Sequence, residues 1–204
     1  MNNTPISIVL ADDEHLIRGA LAALLDLEDD FQLVAEVDNG TDALAAARDH
    51  SPTVCVLDLE MSPTDGVDAA TSILWEIDTR IVMVTRHARP GVLRRALAAG
   101  VKGFVPKSTP SEKLAEVIRT VAGGARYVDP DIAASALTGM DCPLTERELH
   151  VLRASTEHDT LAQTAGALHL APGTVRNYVS AAMAKLGASS RQQAAHRAWE
   201  EGWI

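Results

Sequence analysis

Four short apolar runs, each ending in a side chain that can do chemistry, constrain this chain most. Val54-Cys55-Val56-Leu57 ends in Asp58, and Ile6-Ser7-Ile8-Val9-Leu10-Ala11 ends in Asp12-Asp13-Glu14. Ile81-Val82-Met83-Val84 ends in Thr85, and Gly103-Phe104-Val105-Pro106 leads into Lys107. Continuous apolar runs of this length read as strands buried on both faces, the pattern of a parallel sheet. Open parallel sheets bind their ligands beyond the carboxyl ends of the strands. Parallel strands would therefore bring a group of acids, a central aspartate, a hydroxyl and an ammonium to one edge.

The same reading orders the chain. Strands are expected at 6–10, 32–37, 54–58, 80–85 and 103–107, with Pro52 opening the central one. Apolar residues at helical spacing, such as Leu16, Ile17, Ala20, Leu21, Leu24 and Leu25, place helices at 16–25, 42–50, 67–75, 92–99 and 112–122. Asn39-Gly40 marks a turn, and Gly100 and Gly123-Gly124 end helices. Five strands alternating with five helices predict an α/β doubly wound, five-stranded parallel sheet over residues 1–122. Residues 123–143 read as a linker with a short helix at 131–137. Residues 144–204 read as a small all-α unit with helices at 144–154, 160–169 and 172–186. A last helix is capped by Ser189 or Ser190 and runs toward Trp203. Thr145, with Glu148 three residues on, forms a capping box, and Thr160 can cap the second helix.

Each strand-end residue has an ordinary reading beside the chemical one. Lone aspartates end many strands, and acids favour the positive end of a helix, so Asp12-Asp13-Glu14 also reads as a solvated helix start. Clustered carboxylates repel, however, and a fold keeps them together only with a cation or full solvation. Mg²⁺ suits such a place, because this hard ion takes carboxylate oxygens and several waters.

Composition narrows the class. The 204 residues have room for two small domains, and 47% hydrophobic with 23% charged residues fits a soluble globular protein. No apolar run reaches the length that spans a membrane, and the N-terminus lacks a signal-peptide pattern, so a cytoplasmic protein is expected. Cys55 lies in a buried-strand pattern and Cys142 in the linker, which points to packing rather than to a disulfide framework or zinc site. The net charge of −10 at first argues against nucleic acid, but it is unevenly placed. Residues 1–142 hold 22 acidic and 12 basic side chains, whereas 143–204 hold six of each. Between Thr160 and Trp199 there is no acid at all, while Arg176, Lys185, Arg191 and Arg197 are present, a modest footprint for a phosphate backbone.

In order, spacing and residue type, the four strand ends resemble the receiver domain of two-component response regulators. That resemblance implies that Asp58 accepts a phosphoryl group from a sensor histidine kinase. It implies that Asp12, Asp13 and Asp58, with the backbone carbonyl of Glu60, hold Mg²⁺ directly or through water. Thr85 and Lys107 would bind the phosphoryl oxygens. Phe104 matches the family's aromatic switch position, its ring turning inward as Thr85 moves; it reads equally as a core ring. The chemistry suits the residues, since phosphoryl transfer is mostly positioning and charge neutralisation.

The second unit reads as helix, short turn, basic helix, the helix-turn-helix pattern. Residues 144–148, then Gly173-Thr174-Val175-Arg176-Asn177-Tyr178-Val179-Ser180 and Lys185-Leu186-Gly187, resemble the LuxR-type DNA-binding domain. With the receiver in front, the whole chain resembles a NarL/FixJ-family response regulator. This implies a transcription factor rather than an enzyme, with 172–186 as recognition helix in the major groove of double-stranded DNA. Arg176, Asn177 and Ser180 would face base edges, and Thr174, Tyr178 and Lys185 would lie nearer phosphates. Tyr178 also reads as a packing residue. Phosphorylation would favour a homodimer whose two helix-turn-helix units span two half-sites. In relatives the last helix, here with Trp199 and Trp203, often joins DNA-binding domains.

Several residues depart from the family pattern. Ser62, followed by Pro63, stands four after Asp58 where proline is usual, and Pro106 before Lys107 fixes φ and removes an N–H. His158 replaces a glycine at a helix end, Leu161 and Thr164 are atypical, and Ala171 replaces the hydroxyl cap of the recognition helix, at about 1 kcal/mol. Ser62 and Pro106 support a competing reading, a regulator of the same fold that no longer uses phosphate. Asp58-Leu59-Glu60-Met61-Ser62 faintly resembles the aspartate-nucleophile motif of haloacid-dehalogenase-type phosphatases. No later strand ends in the paired acids such an enzyme needs.

Overall fold

Strand β3 (Val54–Asp58) is buried at every position because strands cover both of its edges and helices both of its faces. The computed structural model describes residues 4–87, 89–138 and 142–204. The chain divides into two units, Met1–Ala88 with Leu93–Ala136, and Leu137–Ile204 with Arg89–Val92.

The first unit is a parallel sheet of β1 (Ile6–Ala11), β2 (Phe31–Val37), β3, β4 (Arg80–Thr85), β5 (Gly103–Pro106) and β6 (Tyr127–Val128), in the order β2-β1-β3-β4-β5-β6. Helices α1 (His15–Leu25), α2 (Gly40–His50), α3 (Gly66–Glu76), α4 (Pro90–Ala99) and α5 (Ser111–Ala122) connect the strands, and α6 (Pro130–Thr138) follows β6. The register aligns Ala11 with Leu57, Leu57 with Met83, and Met83 with Phe104. Alternate residues therefore serve opposite faces. Ile8, Leu10, Val54, Val56, Val82, Val84 and Val105 pack with Ala22 and Leu25 of α1 and Leu114, Val117, Ile118 and Val121 of α5. Val9, Cys55, Leu57, Ile81, Met83 and Phe104, of opposite parity, are equally buried. Full burial of such a side chain is worth about 1.5–3 kcal/mol. A one-residue slip would exchange the two sets, so the register of the strand ends is fixed by the core.

The sheet has six strands where five were expected. The extra strand is two residues long, held by Tyr127 N–H to the Lys102 carbonyl and Asp129 N–H to the Phe104 carbonyl, both at 2.9 Å. Two residues carry no periodicity, so it could not be read from the sequence. It and α6 lie within the stretch 123–143 that reads as a linker.

The second unit contains α7 (Glu146–Ala154), α8 (Leu161–Ala167), α9 (Pro172–Lys185) and α10 (Arg191–Glu200). Thr145 and Thr160 each complete a capping box, with Glu148 and Gln163. Of the two candidate serines, Ser190 caps α10, accepting the Gln193 N–H at 3.1 Å. Ala171 leaves α9 without a side-chain cap, and Pro172 occupies its first turn, where a missing N–H costs little. His158, standing for a glycine, needs no left-handed backbone; among the described residues of this unit the left-handed non-glycine residue is His169, at φ 53° in the α8–α9 turn. Val151, Ala165, Val175 and Val179 form one core cluster, and Leu144, Leu152, Ala182, Ala194, Ala198 and Trp203 belong to another. Among the described residues, no helix is long and apolar enough to cross a membrane.

Candidate functional site

The carboxyl ends of β1, β3, β4 and β5 bring the predicted strand-end residues together. Asp12 is 0% exposed, Asp58 1% and Thr85 0%. The Lys107 ammonium lies 2.8 Å from Asp12 Oδ2, 2.9 Å from Asp58 Oδ2 and 3.0 Å from Glu14 Oε1. Of these contacts, the one to Glu14 has hydrogen-bond alignment. Both Asp58 carboxylate oxygens and Asp12 Oδ2 are buried without a hydrogen-bond partner. Burial pushes the Asp58 carboxyl above the usual range. The Lys107 ammonium and the Glu60 backbone N–H oppose that shift, and the Asp12 carboxylate adds to it.

Backbone constraints hold these groups in place. Leu59 N–H donates to the Val84 carbonyl, which carries the ladder one step past Asp58. A side chain at Gly66 would put its Cβ 2.2 Å from the Asp58 carbonyl oxygen, so glycine is required where α3 begins directly under the strand end. Asp65 beside it caps α3, accepting the Val67 and Asp68 N–H groups. The loop at Ser62 contains a cis Ser62–Pro63 peptide. Pro106 ends β5 without breaking its pairing with β4, because the ladder bond there comes from Lys107 N–H to the Thr85 carbonyl at 2.7 Å. Thr85 Oγ1 donates to the His87 carbonyl and accepts the His87 N–H, so the hydroxyl is engaged with the loop that follows β4. Phe104 is fully buried on the neighbouring strand. The Glu60 side chain pairs with His87 Nδ1 at 3.1 Å.

Four carboxylates, from Asp12, Asp13, Glu14 and Asp58, offer ligand oxygens within 4.8 Å of one another. Three of the four were expected as metal ligands; Glu14 is the addition. The buried oxygens of Asp12 and Asp58, held by no aligned hydrogen bond and faced by the Lys107 ammonium, suit an oxygen-seeking divalent cation. Cys55 is remote from such chemistry, because burial pushes its thiol up to about 11, against a weak opposing contact with Thr79.

In the second unit α9 buries Val175, Val179 and Ala182 and turns Arg176, Asn177 and Ser180 outward. These three, with Gly173, share one solvent-facing strip at helical spacing. Thr174 is half-buried, and Tyr178 packs against the cluster of Val151, Ala165, Val175 and Val179. Lys185 is held by Glu148 Oε2 at 2.7 Å. Two other charges of the acid-free stretch also work inside the unit. Arg191 donates to the Asp159 carbonyl at 3.0 Å, and Arg197 donates to the Leu186 and Gly187 carbonyls at the end of α9. Trp203 is a core residue, whereas Trp199 is 42% exposed.

Comparison with known proteins agrees with both halves. The response regulator receiver domain family matches residues 8–119, and the LuxR family of bacterial regulatory proteins matches residues 142–198. The transcriptional regulatory protein DesR of Bacillus subtilis is 39% identical over 199 residues, covering 98% of this chain and 99% of its own. The receiver domain of the NarL response regulator from Mycobacterium tuberculosis superposes with TM-score 0.57 at 29% identity, covering 59% of this chain and 98% of that one. The fold of RcsB, solved as two dimers bound to two parallel DNAs, superposes with TM-score 0.66 at 19% identity, covering 97% of this chain and 99% of that one. The chain belongs to the two-component response regulators that join a receiver domain to a LuxR-type DNA-binding domain, a family of transcription regulators.

Proposed function

We propose that Asp58 is the phosphoacceptor through which a sensor histidine kinase controls this regulator. The observation that carries the reading is the buried Asp58 carboxylate at the end of β3, with the Lys107 ammonium 2.9 Å away. In the transfer, the bond from the kinase's histidine nitrogen to phosphorus breaks and a bond from an Asp58 oxygen to phosphorus forms. The nitrogen keeps the electron pair. Asp12, Asp13 and Asp58, with the Glu60 backbone carbonyl, would hold Mg²⁺, which when bound neutralises charge on the phosphoryl oxygens. Lys107 and Thr85 would bind those oxygens, Thr85 leaving its bonds to His87. The space Thr85 vacates is where the Phe104 ring would turn.

The working parts are then a receiver at 1–122, a connection at 123–143 and a DNA-binding domain at 144–204, acting in the cytoplasm. The phosphorylated receiver forms a homodimer, and paired recognition helices read two half-sites of double-stranded DNA. Arg176, Asn177 and Ser180 read bases, while Thr174, Tyr178 and Lys185 lie nearer phosphates. RcsB, of the same fold, has been solved as DNA-bound dimers, which supports this arrangement. The test is incubation with acetyl phosphate and Mg²⁺ followed by intact-mass measurement. One acid-stable but base-labile phosphoryl group per chain is expected, absent from Asp58→Asn. Equal labelling of the variant would refute the assignment.

A further inference from the structure

Glu14 was not among the site residues expected from the sequence, yet its carboxylate holds two cations at the site. Oε1 accepts from Lys107 Nζ at 3.0 Å, and Oε2 pairs with Arg86. Lys107 is close to three carboxylates but aligned on Glu14. The ammonium is thus shared, and Glu14 competes with Asp58 for it.

We propose that Glu14 is a displaceable counter-anion of the phosphoacceptor site, holding Lys107 and Arg86 until a phosphoryl group on Asp58 takes its place. The proposal rests on the reading of Asp58 as phosphoacceptor. A phosphoryl group brings roughly −1.5 to −2 of charge and three acceptor oxygens. An ammonium has three donors, and those oxygens compete for them. Of the carboxylates around Lys107, Asp12 is 0% exposed and has no room to leave, and Asp58 carries the new group. The Glu14 side chain is 34% exposed and can rehydrate as it swings out, so it is the one that yields. Its departure also releases Arg86, the residue after Thr85. The event that frees Lys107 for the phosphoryl group therefore unfastens the β4–α4 loop, whose first bonds are those between Thr85 and His87. In the unphosphorylated chain, Glu14 biases the site against phosphoryl binding by repulsion and by competition.

The test is titration of the full chain with beryllofluoride at saturating Mg²⁺, reading bound fluoride by ¹⁹F nuclear magnetic resonance. Glu14→Gln keeps the shape of the side chain and removes its charge. Loss of one half-exposed ion pair from the competition predicts roughly two- to fivefold tighter binding. Glu14→Asp, charged but one methylene shorter, should fall between Glu14→Gln and the parent. Unchanged or weaker binding by Glu14→Gln would overturn the proposal, since a metal ligand or a merely structural residue gives that result. Asp58→Asn is the control for the reading underneath. If it binds beryllofluoride as the parent does, the phosphoacceptor assignment fails; if it does not bind and Glu14→Gln equals the parent, only the role of Glu14 fails.

Discussion

Replacing Glu148 by alanine should unfold the second unit well before the first. Three bonds converge on this buried residue. Thr145 N–H donates to Oε2 at 2.7 Å, Lys185 Nζ pairs with the same oxygen at 2.7 Å, and Glu148 N–H donates to Thr145 Oγ1 at 3.3 Å. Loss of the capping arrangement costs about 1 kcal/mol. The ion pair, with the Lys185 side chain 38% exposed, adds at most about 1 kcal/mol. The sum of about 2 kcal/mol lowers the midpoint of a domain this small by about 8–16 °C. Tryptophan fluorescence isolates the event, because Trp199 and Trp203 lie in this unit, whereas Trp75, in the first unit, is 89% exposed and changes little on unfolding. Glu148→Gln, which can still accept from Thr145, should lose about half as much. Glu146→Ala, in the same first turn but exposed, should lose only about 0.3–1 kcal/mol. Equal midpoints for Glu148→Ala and Glu146→Ala would refute the reasoning. Acid supplies a second check. Burial alone would raise the Glu148 carboxyl, but Lys185 and Thr145 outweigh it and hold the group below the usual range. Its folded value is depressed, so its contribution is complete above the ordinary carboxylate value and lost as pH falls through the folded one. The midpoint gap between parent and Glu148→Gln should close on acidification below pH of about 4.

Three further outcomes are expected. Gly66→Ala should lower receiver stability by about 1–3 kcal/mol and impair beryllofluoride binding, because its Cβ would meet backbone at 2.2 Å; circular dichroism melting measures it. Ala171→Ser should raise the fluorescence midpoint of the second unit by a contribution of about 1 kcal/mol, since Ala171 has the extended backbone of a cap and no capping bond. Arg176→Ala should cost about 1–3 kcal/mol of DNA affinity and relax sequence preference at one base position, as read by fluorescence anisotropy on permuted sites.

Much of the receiver was legible because a parallel sheet writes itself as apolar runs, and because its ligand edge collects the residues that end them. Asp12, Asp58, Thr85 and Lys107 could be placed together from that rule alone. What was illegible is long-range or too short to have a period. β6 is two residues, and the only signal for Glu14 was that the acidic run was one longer than a cation needs. The pairing of Glu148 with Lys185 spans 37 residues and joins a capping residue to one that reads as a phosphate contact. Arg197 likewise counts as surface charge in the sequence but closes the carbonyl end of α9 in the fold. The same holds for Arg119, whose guanidinium forks onto Asp30, reaches Glu28 and lies 4.8 Å over the ring of Phe31, tying α5 to the start of β2. Charge counts locate a basic stretch; they do not say which charges the fold itself consumes.

A phosphoryl group on Asp58 is expected to drive assembly of the chain. Light scattering of the full protein in Mg²⁺ buffer, with and without beryllofluoride, tests it most directly. The expected result is a change from the mass of one chain to that of two, absent in Asp58→Ala. An unchanged mass, or the same change in Asp58→Ala, would contradict it.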